Sequence, residues 1–167
     1  MERFSVGDLA VYQDQGVGQI TDVGRLELAG ASLEVYTVVM QHSGAIVRVP
    51  THKAAAVGLR GLTPRTQVGS VFEILRSKAE KPREKTWNRR YRVYTERLRT
   101  GELGEIAKVL RDLEQLRRDK DELSYGERQM LEQARGLVVQ EVAKVTGRDE
   151  SEVADEVAAL CRTQVAA

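Results

Sequence analysis

The chain has 167 residues, 41% of them hydrophobic and 31% charged, and a formal net charge of +1 at pH 7. That length holds one domain or two small ones with real apolar cores, and a net charge so close to zero argues against a protein that coats nucleic acid indiscriminately. No apolar run is long enough to cross a bilayer, no signal-type stretch follows Met1, and Cys161, the single cysteine, excludes an internal disulfide; a bacterial-style cytoplasmic protein is expected.

The first sixty residues read as short strands separated by turns. Leu9-Ala10-Val11-Tyr12 stops at Gln13-Asp14-Gln15-Gly16, and Val17-Gly18-Gln19-Ile20 begins the next strand. Alternation with period two recurs at Leu26 and Leu28 and again through Leu33, Val35, Thr37 and Val39. Gly30-Ala31 and His42-Ser43-Gly44 supply turns, and Ala45 to Val49 makes a last strand closed by Pro50. Gly7, Gly16 and Gly18 mark tight turns or a close approach of neighbouring strands. Short strands with few long connections predict an SH3-like or Tudor-like five-stranded β-barrel.

Around Thr63-Pro64 the period changes. Val68, Val71, Phe72 and Leu75 have helical spacing, and Ser77 to Glu84 form a polar connection containing Pro82. A helix then carries Trp87, Arg90, Tyr91, Tyr94 and Leu98 on one face and ends near Gly101. Leu103, Ile106, Ala107, Leu110 and Leu113 line the next. Ser124 opens a third helix with Glu127 three residues on, a capping box, and this helix stops near Gly147. Asp149 caps the last one, whose Val153, Val157 and Leu160 face inward. Residues 108–122 mix both signs of charge and read as a solvated helix face with its loop. The expected fold is multidomain α and β: a barrel over residues 1–63, a helical connection over 64–84 and a compact helical bundle over 85–167.

Charge is distributed unevenly. From Arg76 to Arg99 ten Lys or Arg residues face three Glu, a balance of +7, and the only indole, Trp87, lies inside that stretch beside Asn88-Arg89-Arg90-Tyr91-Arg92. An indole flanked by fixed positive charge can enter a base step while arginines hold phosphates. The same cluster also fits a helix start with a packed ring and a solvated flank, and the residues alone leave both open. A basic patch this limited binds DNA weakly unless something else brings it there.

Little supports catalysis. His42 and His52 have no metal-ligand spacing around them, Gly16-Val17-Gly18 lacks the third glycine of a dinucleotide loop, and Cys161 falls in an apolar helical stretch. Neither an enzyme nor a metal or other cofactor is expected.

Several segments together resemble one family. Phe4-Ser5-Val6-Gly7-Asp8-Leu9-Ala10-Val11-Tyr12, Gly16-Val17-Gly18-Gln19-Ile20, Val47-Arg48-Val49-Pro50 and Val57-Gly58-Leu59-Arg60 are similar to the opening domain of the CarD/CdnL bacterial transcription regulators. Trp87-Asn88-Arg89-Arg90-Tyr91, the run from Glu105 to Leu113 and the run from Leu123 to Leu131 resemble their helical domain. The resemblance implies a first domain that docks on the RNA polymerase beta subunit and a second that reaches promoter DNA, where the tryptophan enters the minor groove and helps hold the bubble open. Carried onto this chain, it assigns Trp87, Arg89, Arg90 and Arg92 to DNA and Arg48 to polymerase, with Arg89 and Arg90 either touching DNA or bracing the helices; Arg25, on the same barrel, is also expected to bind polymerase. It implies a monomer in the bacterial cytoplasm, associated with the nucleoid through polymerase and without a membrane partner. Tyr12-Gln13 stands where the family often has Tyr-Pro, and Gly24-Arg25 where an acidic residue is common. These departures keep open a divergent paralogue with weakened polymerase or DNA binding, and a separate alternative is a protein-interaction adaptor that binds through an exposed edge strand of the barrel and a face of the bundle.

Overall fold

The computed structural model describes residues 2–80 and 86–162, so most of the charged end of the expected connection, Pro82 included, lies outside the described residues. The chain divides into two units, Met1–Leu62 and Thr63–Ala167.

The first unit is built from β1 (Leu9–Tyr12), β2 (Val17–Leu28), β3 (Ala31–Met40), β4 (Ile46–Pro50) and β5 (Leu59–Gly61). They form one antiparallel sheet in the order β4-β3-β2-β1-β5. Two expectations need correction. The Val17–Ile20 and Leu26–Leu28 segments are one continuous strand, irregular between Ile20 and Asp22, and the fifth strand is Leu59–Gly61 rather than a piece of β2. The five-stranded, Tudor-like unit expected from the sequence is present, and among the described residues no ladder joins β4 to β5.

The core of this unit gathers Phe4, Ala10, Ile20, Tyr36, Val38, Met40, Val49 and Leu59. Phe4 meets the Tyr36 ring edge-on at 5.5 Å, and its backbone N–H donates to the Tyr36 hydroxyl at 3.2 Å. Satisfying that hydroxyl lets a phenol sit in the core without the cost of an unpaired polar group. Gly18 marks the close approach foreseen for β2, because a Cβ there would stand 2.7 Å from Val38 Cγ1. At the β2–β3 hairpin Ala29 and Gly30 both have positive φ, 50° and 78°, the backbone that a two-residue hairpin turn requires.

The second unit contains α1 (Val68–Arg76), α2 (Trp87–Thr100), α3 (Leu103–Asp119), α4 (Tyr125–Thr146) and α5 (Glu150–Arg162). Helix α3 is central and packs against α1, α2, α4 and α5. That position corrects the solvated reading of residues 108–122 in part: Arg111, Asp112 and Glu114 are buried, while residues 117–122 are exposed as expected. Their charges are balanced locally. Arg111 Nε donates to Asp112 Oδ1 at 2.9 Å, while Glu114 faces Arg135 Nη2 at 2.6 Å and Arg117 Nη2 at 2.7 Å. Unpaired, each buried charge would cost several kcal/mol.

Residues 64–76, read from sequence as connection, join the helical unit because Val68, Val71 and Leu75 of α1 enter its core. Thr63 ties the start of this unit to α4: its N–H and hydroxyl donate to buried Glu141 at 2.9 and 2.6 Å. The expected stops are in place, with Gly101 ending α2 and Gly147 ending α4, both left-handed. In α5 the buried side chains are Val153, Val157 and Cys161, and Leu160 is only partly covered. Among the described residues no helix is long and apolar enough to cross a membrane.

Candidate nucleic-acid interface

Trp87 is the first residue of α2. Its neighbours at helical spacing, Tyr94 and Leu98, are buried against α3, so the ring lies at the end of the inward stripe rather than on the solvated face. It is half-buried, and its environment is aromatic. The Tyr91 ring stands edge-on at 5.8 Å and the Tyr94 ring is tilted at 6.4 Å. The indole also reaches α4, where a Cβ placed on Gly126 would lie 3.1 Å from its Nε1. Tyr91 beside it is 49% exposed, and Tyr125, at the first position of α4, is 72% exposed.

The four side chains assigned to DNA do not share one environment. Arg89 and Arg92 are exposed. Arg90 is different: its side chain is only 18% exposed and its Nη2 lies 4.0 Å from Glu127 Oε2. The same guanidinium stands 6.0 Å from the Trp87 ring centre, within cation–π range. Arg90 therefore turns inward, toward the indole and the start of α4, while Arg89 and Arg92 face solvent.

Glu127 is the residue that sequence reasoning undervalued. The capping box was legible, and its reciprocal bonds are present: Glu127 N–H donates to Ser124 Oγ at 3.2 Å, and Ser124 N–H donates to Glu127 Oε1 at 2.8 Å. The same oxygen accepts from Lys120 Nζ at 2.9 Å, and the carboxylate is almost fully buried. Burial alone raises this carboxyl, but the bonds from Lys120 and Ser124 outweigh it and hold the group below its ordinary value. A charged carboxylate is thus maintained under the Trp87 end of α2. Nothing in a one-dimensional capping motif announces the arginine across from it.

On α3, Asp112 takes part in positioning α2. Arg97 approaches it at 3.8 Å and Glu105 at 3.8 Å. Burial raises the Asp112 carboxyl despite Arg111 and Arg97, and burial together with Asp112 raises the Tyr94 hydroxyl. Tyr94 therefore stays neutral, a packing residue under Trp87.

In the first unit, Arg48 lies exposed on β4, the strand that ends the sheet, with Ile46 on the same face and 63% exposed. Arg25 is exposed on β2 opposite Glu34, and its Nη1 reaches Ser32 Oγ at 3.5 Å. The register pairs Arg48 with Thr37 and Arg25 with Glu34, three positions apart on β3. Alternation along a strand sets those two positions on opposite faces, so the structure does not gather Arg25 and Arg48 into one patch.

Comparison with known proteins covers both units. The model of the CarD-like/TRCF RID domain matches residues 4–62, and that of the CarD C-terminal domain matches residues 70–158. A protein of Bacillus subtilis (strain 168), the candidate transcription factor YdeB, is 29% identical over 150 residues, covering 90% of this chain and 97% of its own length. The solution NMR structure of the 72-residue N-terminal domain of Myxococcus xanthus CarD is 37% identical and covers 35% of this chain and 79% of its own, with a TM-score of 0.31. With the two family models accounting for sheet and helices in succession, the chain belongs to the CarD family and is a transcription-related factor that interacts with RNA polymerase.

Proposed function

We propose that the first unit docks on the RNA polymerase beta subunit and that the helical unit stabilises the open promoter complex through a non-sequence-specific minor-groove contact made by Trp87. The observation that carries this reading is the setting of Trp87: a half-buried indole at the first turn of α2, beside half-exposed Tyr91, with Arg89 and Arg92 on the solvent side. A ring held in this way has already lost much of its freedom, so inserting it costs less ordering entropy than inserting a mobile one. Arg89 and Arg92 then contact phosphates, which fix register and carry no sequence code. Arg90 acts as a brace. Arg48 and Ile46 on the end strand offer charge, an apolar contact and unpaired backbone groups to the polymerase.

Docking supplies what the weak basic patch lacks, because tethering raises the local concentration of the DNA-contacting face. A ring that interacts better with distorted than with closed duplex shifts that equilibrium with no chemistry of its own. The factor works as a cytoplasmic monomer, reaching the nucleoid through polymerase.

The test is Trp87→Ala on purified polymerase, following the lifetime of the open complex. A shortened lifetime with polymerase binding and folding retained is the expected result; an unchanged lifetime with the protein docked overturns the reading. The half-burial of Trp87 favours one rival, in which the ring only joins α2 to α4 and the helices form a protein-binding face of an adaptor. In that case the substitution lowers stability and leaves promoter opening alone.

A further inference from the structure

We infer that the first turn of α4, through Gly126 and Glu127, is a positioning element that sets the Trp87 indole for its DNA contact. The inference rests on the Trp87 reading above and adds residues that hold the ring, Gly126 directly and Glu127 through Arg90, rather than the DNA.

Three observations lead to it. Helix α2 packs chiefly on α3, and its Ncap, Thr86, makes no side-chain capping bond, so its own first turn is weakly fixed. That turn is instead held from α4: the indole lies on Gly126, and buried Glu127 faces Arg90, whose guanidinium stands by the same ring. Finally, α4 contains two helical glycines in contrasting surroundings. A Cβ at Gly136 would meet nothing within 4 Å, whereas one at Gly126 would press on the indole Nε1 at 3.1 Å and on Cε2 and Cζ2 at 3.5 Å. Within a helix glycine is less favourable than alanine, so Gly126 gives up some helix stability at a place where a methyl would force the indole to shift by a few tenths of an ångström. With Tyr91 and Tyr94 on other sides, the ring has little room to yield without leaving its seat.

The experiment compares Gly126→Ala with Gly136→Ala in the full chain. Trp87 is the only tryptophan, so its emission and its quenching by acrylamide report on this ring alone. Alanine favours the helix at both positions, and circular dichroism with thermal melting confirms that each variant is folded. For Gly126→Ala we expect red-shifted emission, several-fold stronger quenching and a several-fold shorter open complex on purified polymerase, with Gly136→Ala matching the wild type on all three. Unchanged emission and quenching in Gly126→Ala would overturn the seat. A displaced ring with an unchanged open-complex lifetime, when Trp87→Ala does shorten it, would overturn its role in positioning. If Trp87→Ala has no effect on lifetime, it is the DNA reading that fails, and the optical data still report whether the seat exists. Should Gly126→Ala not fold, Glu127→Gln decides on the same readouts: it keeps an acceptor for the Ser124 N–H but removes the charge facing Arg90.

Discussion

Arg90 and Glu127 oppose each other between the first turns of α2 and α4, Nη2 to Oε2 at 4.0 Å, and among the described residues neither Arg90 Nε nor Glu127 Oε2 has a hydrogen-bond partner. The pair balances charge without the gain of a direct bond. Lys120 keeps part of the compensation for Glu127 if the arginine is lost. Arg90→Ala is therefore expected to lower stability by about 1–2 kcal/mol rather than the larger loss of a sole partner. Urea unfolding followed by circular dichroism measures it. A stability equal to that of Arg92→Ala would show that Arg90 is as solvated as its neighbour and would remove the brace.

The depressed Glu127 carboxyl gives this contact a pH signature. A group whose folded pKa lies below its unfolded value stabilises the protein above the unfolded value, about 4.3 for a glutamate, and loses that contribution as pH falls through the folded value. Asp112, raised by burial, works in the opposite sense, its contribution being lost as pH rises through its folded value. Comparing wild type with Glu127→Gln cancels Asp112, which both contain. The wild type should be more stable by about 1 kcal/mol at neutral pH, and the gap should close in acid, below the depressed carboxylate. A gap of the same size throughout the acid range would mean that the carboxylate charge contributes nothing.

Much of this arrangement was legible in one dimension, and the rest was hidden for physical reasons. Helix α2 could be placed because Tyr94 and Leu98 repeat at helical spacing and Gly101 stops it, and α4 because Ser124 and Glu127 form a capping box. Strand β5 was missed because three residues cannot display an alternation, and it is defined only by pairing with β1. Arg111, Asp112 and Glu114 looked solvated because charge normally is; their burial follows from α3 having neighbours on four sides, a fact of packing rather than pattern. The departure at Tyr12-Gln13 likewise has a backbone cause. Gln13 has φ 44° and donates its N–H to Gly58 O at 3.1 Å, two features that proline cannot supply. Trp87 and Arg90 stood together in sequence, but only the fold separates Arg90, turned inward, from Arg89 and Arg92.

Cys161 provides a reporter of the helical core. Burial, and secondarily the Glu114 charge, push its thiol up to about 11. The reactive thiolate is then about one part in ten thousand at neutral pH, before the screening of a buried sulfur is counted. In the native protein an aromatic disulfide reagent should label it far more slowly than a free thiol, with the rate rising once urea opens the unit. Immediate stoichiometric labelling of the folded chain would show that α5 does not cover the sulfur.

The contrast among the arginines also separates DNA contact from bracing. Each phosphate neutralised by a cation releases counterions, so removing one such contact lowers the salt slope of binding by about 1. Arg92→Ala should therefore weaken binding to a DNA bubble of mixed sequence, reduce the slope of log K against log salt by about that amount, and do so equally for unrelated sequences. Protein stability should not change, because the side chain is exposed. Arg90→Ala should weaken binding only through the looser ring, leaving the salt slope near that of the wild type. If instead Arg90→Ala flattens the slope and Arg92→Ala does not, the inward and outward assignments are reversed, and the phosphate contact belongs to Arg90.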